Sequence, residues 1–164
     1  MKVEEEAKMF SVNSANRTDY YKYLARLNFE CADAADRRLG FLPGYELAAP
    51  PPVMTLCAHS IELSLKAFLL EHGLSEKEVR AFNHGLVKMW DRCKQIAPHG
   101  LPNINEKTLA IIGDLLMSGR LRYGDESELG RVPVYGPLSD LCRQLLETCG
   151  APTIAQIAAA GRSN

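Results

Sequence analysis

The chain has 164 residues, 46 % of them hydrophobic, and 19 basic against 20 acidic side chains. Such a length and composition describe one globular domain that can bury roughly 70 % of its unfolded surface. A net charge of −1 excludes a global field that draws the chain onto nucleic acid or anionic lipid, and leaves local patches as the only route to such contacts.

Residues 1–15 carry the acidic run Glu4–Glu6 and little periodicity, and read as a loosely docked arm. Their opening, MKVEEEAKMF, is acidic and has no apolar core, unlike a signal peptide. A first helix is expected from Asn16 to Leu39, with Tyr20, Leu24, Leu27, Cys31 and Ala34 at helical spacing. Arg37 and Arg38 suit the negative end of its dipole, and Gly40 stops it. The tract Phe41–Pro52 cannot be helical throughout. Its closing prolines, Pro50–Pro52, are stiff and aim the next element.

Val53–Gly73 is the longest apolar run and reads as a helix apolar nearly all round, the mark of an element with neighbours on several sides. Its exception is a stripe, His59, Glu62 and Lys66 at i, i+3 and i+7. Those charges also break the run before it reaches the eighteen or so apolar residues that span a bilayer, so no membrane contact is expected. Gly73 is a natural helix stop, and Ser75 with Glu78 forms a capping box that opens a short helix to about Phe82. Asn83 is expected to cap a helix from His84 to Ala97 that buries Leu86, Trp90, Cys93 and Ala97.

Another helix is expected from Ile104 to Ser118, capped by Asn103 with Glu106, packing Leu109, Ile112 and Leu116 inward and running on toward Arg120–Tyr123. Tyr123–Pro137, rich in Gly, Pro and charge, reads as a surface loop. Leu138–Cys149 is amphipathic, and Pro152–Ala160 is a short Ala-rich helix. Val132–Tyr135 is too short, and holds a proline, to count as a strand. The expected architecture is an all-α, four-helix up-and-down bundle over residues 16–150, with a short helix and tail over 151–164. Five cysteines with no CxxC pair fit reduced, mostly buried thiols in a cytoplasmic protein.

Three stretches stand in a telling order. His59-Ser-Ile-Glu62-Leu-Ser-Leu-Lys66 lies on one helix, Asn83-His84-Gly-Leu-Val-Lys-Met-Trp90 opens the next, and Leu121-Arg122-Tyr123 closes a later one. This set, over residues 53–123, resembles the HEPN superfamily. The resemblance implies a four-helix bundle, usually a homodimer, often in toxin–antitoxin or defence systems beside a nucleotidyltransferase-like partner. Its active members are metal-independent RNases that use an Arg, a polar residue and, a few positions on, a His, shared across the dimer.

The sequence departs from that pattern. No histidine follows Arg120 or Arg122, and Arg80 and His84 stand one residue too close. Arg92 and His99 meet the spacing, but Cys93 follows the arginine and His99 lies beyond Pro98. Catalysis is therefore not expected, Arg92, His99 and His84 being the residues that would carry it, and the expected function is a non-catalytic binding and dimerisation module for a nucleotide or RNA. The alternatives are a metal-independent RNase and a structural bundle that pairs with a partner protein.

Each candidate also has a plainer explanation. Glu62 and Lys66 make a favourable i, i+4 pair, so the stripe is either a structural network, with Arg122 as a further partner, or a ligand contact. His84 is either a hydrogen-bonded structural residue or a base. His72 and His99 suit exposed helix ends. Arg80, Lys88, Arg92 and Lys94, and Arg120, Arg122 and Arg131 by the loop, are solvated surface or a phosphate-binding patch. Tyr123 and Tyr135 stack on a base or pack the loop down. No zinc spacing, HExxH, phosphate-binding loop or dinucleotide fingerprint is present, so neither metal nor cofactor is expected.

Overall fold

The computed structural model describes residues 16–123 and 130–161. The expected arm at 1–15 and the middle of the 123–137 loop lie outside them. The described residues form an all-α bundle without a strand, in the order α1 Arg17–Leu39, α2 Pro51–Glu71, α3 Glu76–Ala81, α4 Leu86–Ile96, α5 Glu106–Met117, α6 Arg120–Tyr123, α7 Tyr135–Thr148 and α8 Ile154–Ala160.

α2 is the axis, packed against α1, α3, α4, α5, α6 and α7. Pro51 and Pro52 open it, where a missing N–H costs nothing and the fixed φ favours the first turn. Among the described residues α2 alone is long and apolar enough to cross a membrane, and 72 % of its most apolar stretch is buried inside the bundle. Val53, Cys57, Ala58, Ile61, Ala67 and Leu69 are wholly enclosed. α7 is a full member of the bundle, burying Leu138, Leu141, Cys142 and Leu145.

α1 makes the most extensive contact with α2. Lys22, near its start, pairs with Glu71 at the end of α2, so the two run antiparallel. The buried seam of α1 is Ala25, Phe29 and Ala32, while Cys31 and Ala34, expected inside, are exposed. The small side chains decide this phase: at Ala25 the backbones come close enough for the Ser60 hydroxyl to donate to its carbonyl at 2.8 Å. Between α2 and α7 the Cys142 thiol faces the Cys57 carbonyl at 3.7 Å. Four of the five cysteines are buried and free, and burial pushes the Cys93 thiol up to about 12.

The helix ends follow side-chain chemistry. Asn16 caps α1 by accepting from Thr18 and Asp19, and Ser75 and Glu78 form the expected capping box on α3. Three boundaries differ from expectation. α4 begins at Leu86, not His84, because Asn83 takes a left-handed backbone with φ 50° to reverse the chain and so cannot cap. α5 is capped by Asn105, not Asn103, its side chain accepting from Thr108 N–H at 3.0 Å. α6 is separated from α5 at Gly119, where φ is +72°. The Val132–Tyr135 stretch forms one isolated antiparallel bridge, Ala48 to Val134.

Gly113 sits in the interior of α5, where a β-carbon would lie 3.5 Å from Leu86 Cβ, an ordinary contact. Gly113→Ala should therefore stabilise the protein by about 0.5–1 kcal/mol through helix propensity. In urea unfolding, a lower midpoint for this variant would show that α4 and α5 cross more tightly than described.

Candidate functional site

The polar stripe of α2 is split by the bundle's edge. The Glu62 side chain is only 4 % exposed, and both its oxygens are engaged. Oε1 accepts from Lys66 Nζ at 2.5 Å, one turn on. Oε2 lies 2.9 Å from Nδ1 of His84, in the turn between α3 and α4. A buried carboxylate costs several kcal/mol in desolvation unless paired and hydrogen-bonded; Lys66 supplies the charge and His84 the second bond. A carboxylate only accepts, so Nδ1 carries the imidazole proton and Nε2 is the basic nitrogen of the neutral ring. That ring is 48 % exposed.

The other expected members do not join this cluster. His59 stands exposed on the open strip of α2 and makes no hydrogen bond or ion pair with the described residues. Arg122 is not the third partner of Glu62, a place His84 takes. It lies on α6 with its guanidinium 6.0 Å from the centre of the Tyr123 ring, and that ring is 85 % exposed. Most of α2 is enclosed by other helices, and its open strip runs through Leu56, His59 and Leu70.

Arg92 donates to Gln95 Oε1 at 3.1 Å, and His99 is exposed in the turn after α4; no hydrogen bond joins Arg92 to His99 or His84. His72 stacks on Phe68, with ring centres 4.0 Å apart, and its Nδ1 meets the Phe68 carbonyl. Three of the seven basic residues weighed as a phosphate-binding patch are neutralised locally: Arg80 by Glu76, Lys94 by Asp91 and Glu106, Arg120 by Asp114. Tyr135 packs down, its hydroxyl donating to Asp33 at 2.8 Å. Burial and that acidic neighbour raise its pKa. Among the described residues no three His, Cys, Asp or Glu side chains converge to hold a metal ion.

Two features escaped the sequence reading. Glu106, expected in a capping box, instead accepts from the indole N–H of Trp90 at 2.9 Å and from Lys94 at 3.1 Å. These bonds, the indole foremost, hold its carboxyl below the usual range. The second is an open, charge-balanced cleft of about 680 Å³ between α1, α7 and α8, lined by Arg26, Glu30, Asp33, Arg143 and Glu147. There Arg143 covers Phe29 at 5.2 Å, and Arg26 Nε donates to the Pro152 carbonyl. Its lining comes from helices far apart in sequence, so no local pattern announces it. The lone tryptophan with a lysine four residues on was the available hint of the first.

Comparison with protein-family models, curated proteins and solved structures finds no match for this chain. The HEPN resemblance rests on the stretches quoted above.

Two predictions follow the charges. Glu62→Ala leaves Lys66 buried without its partner and should cost about 3 kcal/mol in urea unfolding. His84→Ala, at a half-exposed site, should cost nearer 1 kcal/mol, and a larger loss than for Glu62→Ala would contradict the network. Glu106 has a folded pKa below its unfolded value, so its contribution is present above the unfolded value of about 4.3 and is lost as pH falls through the folded one. The emission of Trp90, the sole tryptophan, should change in acid below that value. In Glu106→Gln the step should vanish; its persistence would assign it elsewhere.

Proposed function

We propose that this chain is a HEPN-like helical binding and dimerisation module, without catalysis of its own, that engages a nucleotide or RNA within a toxin–antitoxin or defence-type system. The observation that carries the reading is the division of the polar stripe. Glu62 and Lys66 are spent on each other at the bundle's edge, while His59, the half-exposed ring of His84 and, apart from them on α6, the Arg122–Tyr123 corner face outward. An exposed tyrosine beside an arginine offers a base-stacking face and a phosphate contact. The strip of α2 offers a narrow seam for a second copy.

A second reading, a metal-independent RNase, is favoured by one geometry: His84 is fixed through Nδ1 by a buried carboxylate, which leaves Nε2 to act as a general base. Cleavage of labelled RNA by the purified protein in EDTA separates the two. The binding module should cleave nothing, yet bind the RNA, with affinity lowered about tenfold in Tyr123→Ala. Cleavage abolished by His84→Ala would establish the RNase, and cleavage abolished by Arg92→Ala or His99→Ala would establish the family's own pair. Light scattering should find a dimer at micromolar concentration that His59→Asp weakens; a monomer throughout would remove the dimer.

A further inference from the structure

Away from that stripe, the end of α1, the α1–α2 loop and the start of α7 enclose a cleft of about 390 Å³, walled by Phe41, Tyr45, Leu47, Val134 and Tyr135, with Asp36 and Glu46 at its edge. Phe41 and Leu47 are 73 % and 74 % exposed, and Val134 is open as well. Three large exposed apolar side chains share this cleft, against two, Val87 and Met117, around the one between α4 and α5, and such patches mark interaction sites.

The patch is held by structure on every side. The backbone of Leu47 accepts from Tyr135 N–H at 3.2 Å, and that of Pro133 from Ala49 N–H at 3.3 Å. Tyr45 N–H closes a turn onto Leu42, and the Tyr135 hydroxyl is anchored on Asp33. The apolar side chains are therefore presented from a frame pinned at both of its strand-like edges.

Asp36 gives the chemistry of the occupant. Its carboxylate has no hydrogen bond or ion pair with the described residues, although it is half-buried against Gly40, where a β-carbon would sit 3.2 Å from Oδ1. Burial and the neighbouring Asp33 raise its pKa. Arg37, next in sequence, is turned to Asp33 and does not serve it. Glu46 is held by the Gly44 N–H at 3.0 Å and brings no cation either. Arg37, so turned, is the cleft's one basic lining residue, so among the described residues the Asp36 carboxylate has no counter-ion, and beside an apolar wall it is complementary to a cation carried on apolar chain. Anionic lipid is disfavoured by the same carboxylates.

We propose that this cleft is a docking site for a partner protein's apolar segment that bears a lysine or arginine, the apolar side chains seating on Phe41, Leu47 and Val134 and the cation on Asp36. The site is separate from the Arg122–Tyr123 corner, so its success or failure is independent of RNA binding there. Fluorescence anisotropy with the intact protein tests it, using as probe a labelled short peptide of alternating leucine, phenylalanine and lysine, and its twin with glutamate for lysine.

The lysine peptide should bind, and the glutamate twin at least about tenfold more weakly. Phe41→Ala and Leu47→Ala, both at exposed positions and each checked for an intact fold by circular dichroism, should weaken the lysine peptide several-fold. Asp36→Asn should narrow the gap between the two peptides. Equal binding of both peptides, no binding of either, or indifference to all three substitutions would overturn the proposal. It would also be overturned if Phe41→Ala abolished binding to vesicles of phosphatidylserine and phosphatidylcholine, which assigns the patch to lipid, or abolished self-association, which assigns it to a second copy.

Discussion

Glu62 is an ionised carboxylate on the most enclosed helix of the bundle, and everything near it is arranged to satisfy it. Removing such a group from water costs more than one ion pair usually returns, so the carboxylate needs a counter-ion and a further donor in fixed places. Lys66 supplies the first from the same helix, at a spacing any helix provides. His84 supplies the second from a different segment, and that bond fixes where the α3–α4 turn sits on α2. A pair of apolar residues would hold the elements with similar free energy and less specificity of register.

The consequences spread along the chain. To bring His84 over α2, the backbone reverses at Asn83 with a positive φ, and the start of α4 moves to Leu86. α4 then runs back across the bundle, placing Trp90 against Glu106 at the start of α5. On the other side, α1 comes close to α2 at Ala25 and Ser60, and α7 closes the core. One side of the molecule is thus fixed by charge and the other by small residues. The surfaces left open are the ones argued to bind: the α2 strip with the Arg122–Tyr123 corner, and the apolar cleft beside Asp36.

Much of this was legible in the amino-acid order. A cap built from one side chain and the next turn depends on local chemistry alone, and Ser75 with Glu78 on α3 stands where expected. An apolar run as complete as that of α2 can only be a core element. What failed to read were choices between near-equivalent local options. Asn103 was the expected cap of α5, and the side chain that caps it is that of Asn105, two residues on. On α1, large apolar residues suggested one face, but the close crossing with α2 favoured Ala25 and Ala32 instead. In the site, the i, i+4 spacing gave the Glu62–Lys66 pair, whereas the third partner depends on which distant segment the fold carries there. It carries His84, and Arg122 stays at the surface.

The most direct measurement of the central interaction is the imidazole nitrogen spectrum of His84 in uniformly 15N-labelled protein, assigned against His84→Gln. If Glu62 accepts from Nδ1 as described, the neutral His84 ring should show a protonated Nδ1 and a bare Nε2, the tautomer free histidine disfavours, with coupling from Nδ1–H that is lost in Glu62→Ala. A His84 ring protonated on Nε2, or one whose spectrum is indifferent to Glu62, would contradict the account and remove the constraint on which the rest of the structure is argued to depend.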